Sequence, residues 1–229
     1  MKRLFLLFLP FLFFVAGTFV ACEEVEEAGK YDNWRPRNEA FVDSIKGKAG
    51  DRLVLTAKDA DEMEEGELFA IQVPTTSTNM IPQYAYCKKL VKKETGERPN
   101  FDGYNSTVKA FYYGTLITGD EFDGNFDGYG ATDRDIPLPL SSDSKWPTEF
   151  NSSSEFTVSE VIPGWTWALQ YMRVGERWML YIPWQSAYGS SGNSSGTIPG
   201  YTSLTFDVYF GRIVENELNH KKVNEMKVR

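Results

Sequence analysis

The sequence predicts an α+β fold: one twisted antiparallel β-sheet wrapped around one short central α-helix, preceded by an N-terminal extension. Two observations predict the sheet. Trp178, Leu180 and Ile182 alternate along the chain, and so do Leu204, Phe206, Val208 and Phe210. That is the period of long antiparallel strands with one buried face. A third observation predicts the helix. Trp165, Ala168, Leu169 and Met172 fall at i, i+3, i+4 and i+7, between Pro163 at the start and Gly175 at the stop, which marks one face of a helix with both ends signalled.

The remaining elements follow in chain order. Lys2 and Arg3 open a basic start, Leu4 to Val20 is almost wholly apolar, and Ala21-Cys22 follows. This reads as a secretory leader over 1–21 and not as a membrane span, because the acidic run Cys22-Glu23-Glu24-Val25-Glu26-Glu27 comes next in place of a basic flank. A Cys after a small residue at the end of an apolar run resembles a lipobox, which implies that Cys22 is acylated; an ordinary cleavage site with an incidental Cys is the alternative. Residues 22–31 read as an acidic tether. It resembles the surface-export signals of Bacteroidetes lipoproteins, and a plain solvated linker fits it equally. An extension over 32–83 contains a short amphipathic helix within Arg37–Lys46, a strand at Leu53–Leu55, an acidic surface stretch at Asp59–Glu67 and a strand at Leu68–Val73. Strands are then expected at Tyr84–Val91 and Thr107–Leu116, the latter with Val108, Ala110 and Tyr112 on one side. Asp123–Asn151, rich in Gly, Ser, Asp and Pro, reads as a long loop, Phe156–Val161 as extended, and 215–229 as a polar tail.

Composition excludes several chemistries. The only His is His220, in the tail, so mechanisms that need an imidazole inside the domain are ruled out. The formal charge is −8, which argues against nucleic acid, whose affinity rests on neutralising phosphates. The chain has 2 Cys. Lipidation of Cys22 would leave Cys87 single, as a buried and inert thiol, with no intrachain disulfide.

Five blocks then resemble one family in its order. Tyr112-Tyr113-Gly114-Thr115-Leu116-Ile117-Thr118-Gly119-Asp120-Glu121-Phe122-Asp123 is similar to the pattern Y-x-G-x-L-x-x-G-x-x-F-D of FKBP-type peptidyl-prolyl isomerases. Val161-Ile162-Pro163-Gly164-Trp165 resembles that family's helix entry, and Met172-Arg173-Val174-Gly175 the segment after it. Ala187-Tyr188-Gly189 resembles its A-Y-G turn, and Ile198-Pro199 with Leu204-Thr205-Phe206-Asp207-Val208 its closing strand. The resemblance covers roughly 84–213, and the isomerase domain is read as 84–214. It implies a peptidyl-prolyl cis-trans isomerase that assists folding of exported proteins. Trp165 would floor the pocket, with Tyr112, Phe122, Val161, Ile162 and Phe206 as walls and Ile198 closing the loop side. Tyr188 would donate to a substrate carbonyl, and Asp123 would stand at the rim. No metal or cofactor is implied.

Two departures leave a second reading open, an FKBP-like peptide-binding or chaperone module without turnover. Ser154 stands where the family usually has an aromatic, with Phe150 as a candidate substitute, and the 124–153 segment is long. Asp123-Gly124-Asn125-Phe126-Asp127-Gly128 matches the opening of a calcium loop, but Arg134 occupies the place of the bidentate Glu, so an acidic glycine-rich turn is the preferred reading. The expected partners are proline-containing polypeptides, with membrane contact through the N-terminal lipid only, at the cell envelope. The short N-terminal helix is expected to pack within a monomer; dimerisation, as in some relatives of the family, is the alternative.

Overall fold

The computed structural model describes residues 29–74, 81–99 and 106–214; the leader, Cys22 and the polar tail lie outside the described residues. The elements are α1 (Trp34–Ala49), β1 (Leu53–Val54), α2 (Ala57–Glu62), β2 (Leu68–Val73), β3 (Gln83–Val91), β4 (Thr107–Thr115), β5 (Glu121–Gly124), β6 (Ser154–Thr157), α3 (Pro163–Tyr171), β7 (Arg177–Ile182), a short 3₁₀ turn (Trp184–Ser186) and β8 (Leu204–Val214). The strands form one sheet in the order β1-β2-β3-β7-β8-β4-β5, with β6 also on β4. The α+β expectation holds. The one parallel pair among the described strands, β1 with β2, lies in the N-terminal extension. Parallel neighbours need a crossover, and α2 supplies it. That helix overlaps the start of the stretch read as acidic surface; the available signal was its capping box, in which Thr56 accepts the Asp59 N–H and Asp59 answers back.

The first helix also runs longer than its apolar pattern, from Trp34 instead of Arg37. Pro36 is tolerated there because the first-turn N–H groups have no helical partner in any case. The predicted strand from Phe156 is displaced: β6 begins at Ser154 and ends at Thr157, where a turn closes through Glu160 N–H to Thr157 O at 2.9 Å.

The sheet is covered on both faces, which corrects the expectation of one buried face. Every residue of β7 is buried. On the inner face, α3 packs through Trp165, Ala168, Leu169 and Met172 against Cys87, Trp178, Leu180, Ile182, Val208 and Phe210. Gly164 permits this contact: a Cβ there would lie 2.5 Å from Ile182 Cγ2. Burial pushes the Cys87 thiol well up, as expected for an inert core residue. On the outer face, Ile45 and Ala49 of α1 and Tyr129, Ile136, Leu138 and Leu140 of the 125–153 segment cover Met179 and Tyr181. That segment is pinned by Arg177. Its guanidinium carbon lies 5.0 to 5.3 Å from the rings of Trp146, Phe126 and Tyr129. Its Nε donates to Asp207 Oδ1 at 2.8 Å, and Tyr129 N–H reaches Asp207 Oδ2 at 2.9 Å.

The extension is bonded to the end of α3. Asp61 of α2 accepts from Arg173 Nε at 3.0 Å and Nη2 at 2.8 Å, and also from Arg98. Arg98 in turn donates to the Tyr171 carbonyl at 2.9 Å, and Lys89, buried beside Glu176, donates to the Ala60 carbonyl at 2.6 Å. Burial opposes ionisation of Asp61, but its bonds to Arg173 and Arg98 outweigh this and hold the carboxyl at about 2, below its ordinary 3.8. Its contribution is therefore full above the unfolded value and is lost as pH falls through the folded one. The side chain is 38% exposed, so solvent screening limits the contribution. Asp61→Asn is expected to cost about 1 kcal/mol at neutral pH. Urea unfolding of both proteins between neutrality and pH 2 should show this gap shrinking below pH 3.8 and closing near 2; a gap that does not change with pH would contradict the assignment.

Candidate functional site

The first turn of α3 builds the floor. Ile162 caps the helix, Pro163 follows at the first position, and Trp165 N–H bonds the Ile162 carbonyl at 2.9 Å. Thr166 Oγ1 donates to the Val158 carbonyl at 2.8 Å, tying the helix to the chain that precedes it. This places the Trp165 ring, 3% exposed, at the end of the inner core with Val161 and Ile162 beside it. Its indole N–H is buried and has no hydrogen-bond partner among the described residues.

Three rings from three strands meet it edge-on. Tyr112 of β4 lies at 5.6 Å and 89°, Phe206 of β8 at 5.3 Å and 79°, and Phe156 of β6 at 5.3 Å and 64°. Phe122 of β5 extends the wall, 5.3 Å from Phe206 at 85°. Edge-to-face pairs at such distances each contribute about 0.5–1.5 kcal/mol beyond burial. Gly114 makes room for the two outer rings: a Cβ there would lie 2.7 Å from Phe122 and 2.9 Å from Phe206.

Phe156 is the residue the sequence reading missed. A vacant wall at Ser154 was expected, with Phe150 as its substitute. Phe150 is 89% exposed and fills nothing. Ser154 opens β6, where its hydroxyl accepts from Asn125 at 3.1 Å. The strand alternates, so its next same-face residue, Phe156, turns onto Trp165. Asn125 was missed as well. It locks the β4–β5 hairpin, accepting from Tyr112 N–H at 2.9 Å and donating to the Ala110 carbonyl at 3.2 Å. Its place inside the calcium-like motif disguised this role. Asp127 of that motif pairs with Lys145 at 3.4 Å. Among the described residues no group of three or more His, Cys, Asp or Glu side chains is placed to hold a metal.

The polar groups stand at the rim. Asp123, exposed on β5, stands beside the Tyr112 hydroxyl. Burial first, and then the neighbouring Asp123 carboxylate, pushes the Tyr112 phenol well up. Tyr188 is 42% exposed; partial burial and the charge of Asp123 raise its phenol too. Both hydroxyls therefore keep their protons at neutral pH. Ile198 is buried in the same cluster as Trp165 and Phe206. Seven of the nine expected side chains, Trp165, Tyr112, Phe122, Val161, Ile162, Ile198 and Phe206, thus share one core cluster, and the exposed Asp123 and Tyr188 stand near Tyr112. Two cavities, of about 580 and 540 Å³, lie elsewhere along α1, and neither is lined by Trp165, Tyr112, Asp123 or Tyr188.

Known proteins resemble this chain over much of its length. Residues 102–210 match the profile of the family described as FKBP-type peptidyl-prolyl cis-trans isomerase. The chain carries an FKBP-type domain. The FKBP-type isomerase FkpA of Escherichia coli is 32% identical over 174 residues, covering 74% of this chain and 52% of that protein. The macrophage infectivity potentiator of Trypanosoma cruzi is 52% identical over 67 residues, 27% of this chain and 34% of that one. The outer membrane protein MIP of Legionella longbeachae is 32% identical over 121 residues, 53% of this chain and 41% of that one. The chain thus spans about a third to a half of the length of these relatives.

If Phe156 is the missing wall, its truncation should be felt and that of Phe150 should not. Phe156→Ala is expected to cost about 3 kcal/mol and to shift the tryptophan emission, while Phe150→Ala should stay within about 0.5 kcal/mol. Denaturant unfolding followed by fluorescence checks this. Equal small effects from both would remove Phe156 from the wall.

Proposed function

We propose that this protein is a peptidyl-prolyl cis-trans isomerase that acts on proline-containing segments of exported polypeptides. The carrying observation is the Trp165 floor ringed by Tyr112, Phe156 and Phe206 beneath the Asp123–Tyr112 pair. No covalent bond needs to break. The barrier is the resonance of the X-Pro amide, about 18–20 kcal/mol, and uncatalysed exchange takes tens of seconds or longer. A catalyst has to bind the twisted amide better than the planar one. Twisting removes conjugation and makes the carbonyl less polar, so an aromatic box favours the twisted form while seating the proline ring on Trp165. Tyr188, protonated and half-exposed, donates to a substrate carbonyl and fixes the pose. Asp123 stands beside the Tyr112 hydroxyl and presents its carboxylate to the twisting carbonyl carbon. Val161, Ile162 and Ile198 keep water from the ring.

Two sequence features favoured a binding module without turnover. Both lose their weight: Phe156 fills the wall, and the insert packs on the outer face. A protease-coupled proline-peptide assay tests the reading. The protein should accelerate cis-to-trans conversion, and Asp123→Ala, an exposed change, should lower kcat/KM about tenfold. Background rates from the folded, unaltered protein would contradict it.

The leader, the residue pattern at Cys22 and the relative named as an outer membrane protein support a place at the cell envelope with a lipid on Cys22. Labelled palmitate should enter the protein in bacterial cells and fail to enter Cys22→Ala; no incorporation in either would end the lipid proposal.

A further inference from the structure

The segment between β7 and β8, residues 183–203, carries both Tyr188 and Ile198, and beyond one 3₁₀ turn it has no regular structure of its own. A long connection of this kind keeps a fixed shape only where other elements hold it. Ser186 Oγ ties it to the Tyr84 carbonyl of β3 at 3.1 Å and Asn193 braces Ile198 from within the loop, and its C-terminal end is held by the first turn and a half of α1, more than 160 residues earlier in the chain. The Trp34 indole N–H donates to Thr202 Oγ1 at 2.8 Å in a buried bond, and that hydroxyl donates to the Pro199 carbonyl at 2.6 Å, one residue from Ile198. Asn38 is fully buried one helical turn on. Its Oδ1 accepts the Ser203 N–H at 2.8 Å, and its amide donates to the Trp34 carbonyl at 2.8 Å.

A third residue of the same turn reaches the other end of the loop. The Arg35 guanidinium carbon lies 4.7 Å from the Tyr201 ring and 5.8 Å from the Trp184 ring, and those two rings meet edge-on at 5.1 Å. Tyr201 has φ 60°, in the left-handed region that a bulky residue adopts only where its surroundings impose it. Its N–H bonds the Gly189 carbonyl at 3.0 Å, directly after Tyr188.

We infer that α1 is a positioning device for the site, in which Trp34, Arg35 and Asn38 set the loop that presents Tyr188 and Ile198. The inference rests on the proposed isomerase reading, and it adds residues that touch no substrate. Directional bonds are needed for such a role, because an apolar contact alone lets packed elements slide, whereas buried bonds such as Trp34 to Thr202 and Ser203 to Asn38 fix one register. The second half of α1 is different in kind. Ile45 and Ala49, with Phe41 and Val42, pack on the outer face of the sheet. The helix therefore stays docked when the bonds of its first turns are cut, which separates positioning from folding.

The test uses Trp34→Phe, which keeps a ring and removes the donor, together with Thr202→Val, the double variant, Asn38→Ala, and Lys48→Ala as an exposed change at the far end of α1. Proline-peptide kinetics and amide hydrogen exchange are read on each. Trp34→Phe and Thr202→Val should each lower kcat/KM about fivefold, mainly through KM, because displaced groups bind the substrate less well. The double variant should lose no more than either alone, the mark of one shared bond. Exchange should quicken across 189–203 while β7 and β8 stay protected, and Lys48→Ala should match the unaltered protein. If Asn38→Ala unfolds, the Trp34→Phe and Thr202→Val pair still decides. Unchanged loop exchange in that pair overturns the inference. If the unaltered protein turns over no peptide, the isomerase reading falls separately, and the loop exchange alone decides the positioning role.

Discussion

The site depends on the register of one strand. β4 pairs along its length with β8, and its other edge is shared between β6 at one end and β5 at the other. That register sets Tyr112 opposite Val208 and Gly114 between Phe206 and Asp123. Three of the rings at the site and its rim carboxylate are therefore positioned by backbone hydrogen bonds to a single strand. A slip of one residue would send Tyr112 to the outer face and empty the wall. The Asn125 side chain, bonded to both Tyr112 and Ala110, guards against that slip where β5 turns back.

The rest of the molecule keeps this sheet from bending away from α3. A sheet of this kind can leave one face in water, yet here α1 and the 125–153 segment close the outer face, and the Arg177–Asp207 pair lies between them at zero exposure. A charged pair so deep stabilises only when its hydrogen bonds are complete. Arg177 meets that condition by bonding Asp207 and the Lys145 carbonyl under three aromatic rings. The long insert is thus a cover for the face away from the candidate site, and α2 with Asp61 does the matching work at the far end of α3.

Much of this was readable in the sequence, and the failures have physical causes. The inner-face strands and α3 were readable because one buried face imposes a strict period of 2 or of 3.6. The parallel β1 was not, since two residues carry no period. The burial of the outer face was not, because its cover comes from segments whose composition reads as loop. At the site, the apolar floor and the rim followed from ordered motifs, whereas Phe156 was missed because its strand begins two residues earlier than its apolar run suggests. The contribution of α1 was hidden for another reason: a bond between Trp34 and Thr202 leaves no local pattern at either end.

In the proposed reading the aromatic box and the rim act as one device, the rings favouring the twisted amide and the Tyr188 hydroxyl fixing its pose. The most direct measurement is two-dimensional exchange NMR of a short proline peptide with a sub-stoichiometric amount of the protein. The account predicts cis–trans exchange cross-peaks that are absent from the free peptide, transferred contacts between the proline ring protons and the Trp165 indole, and loss of both in Trp165→Leu that remains folded. Exchange at the rate of the free peptide, or undiminished exchange in Trp165→Leu, would contradict it.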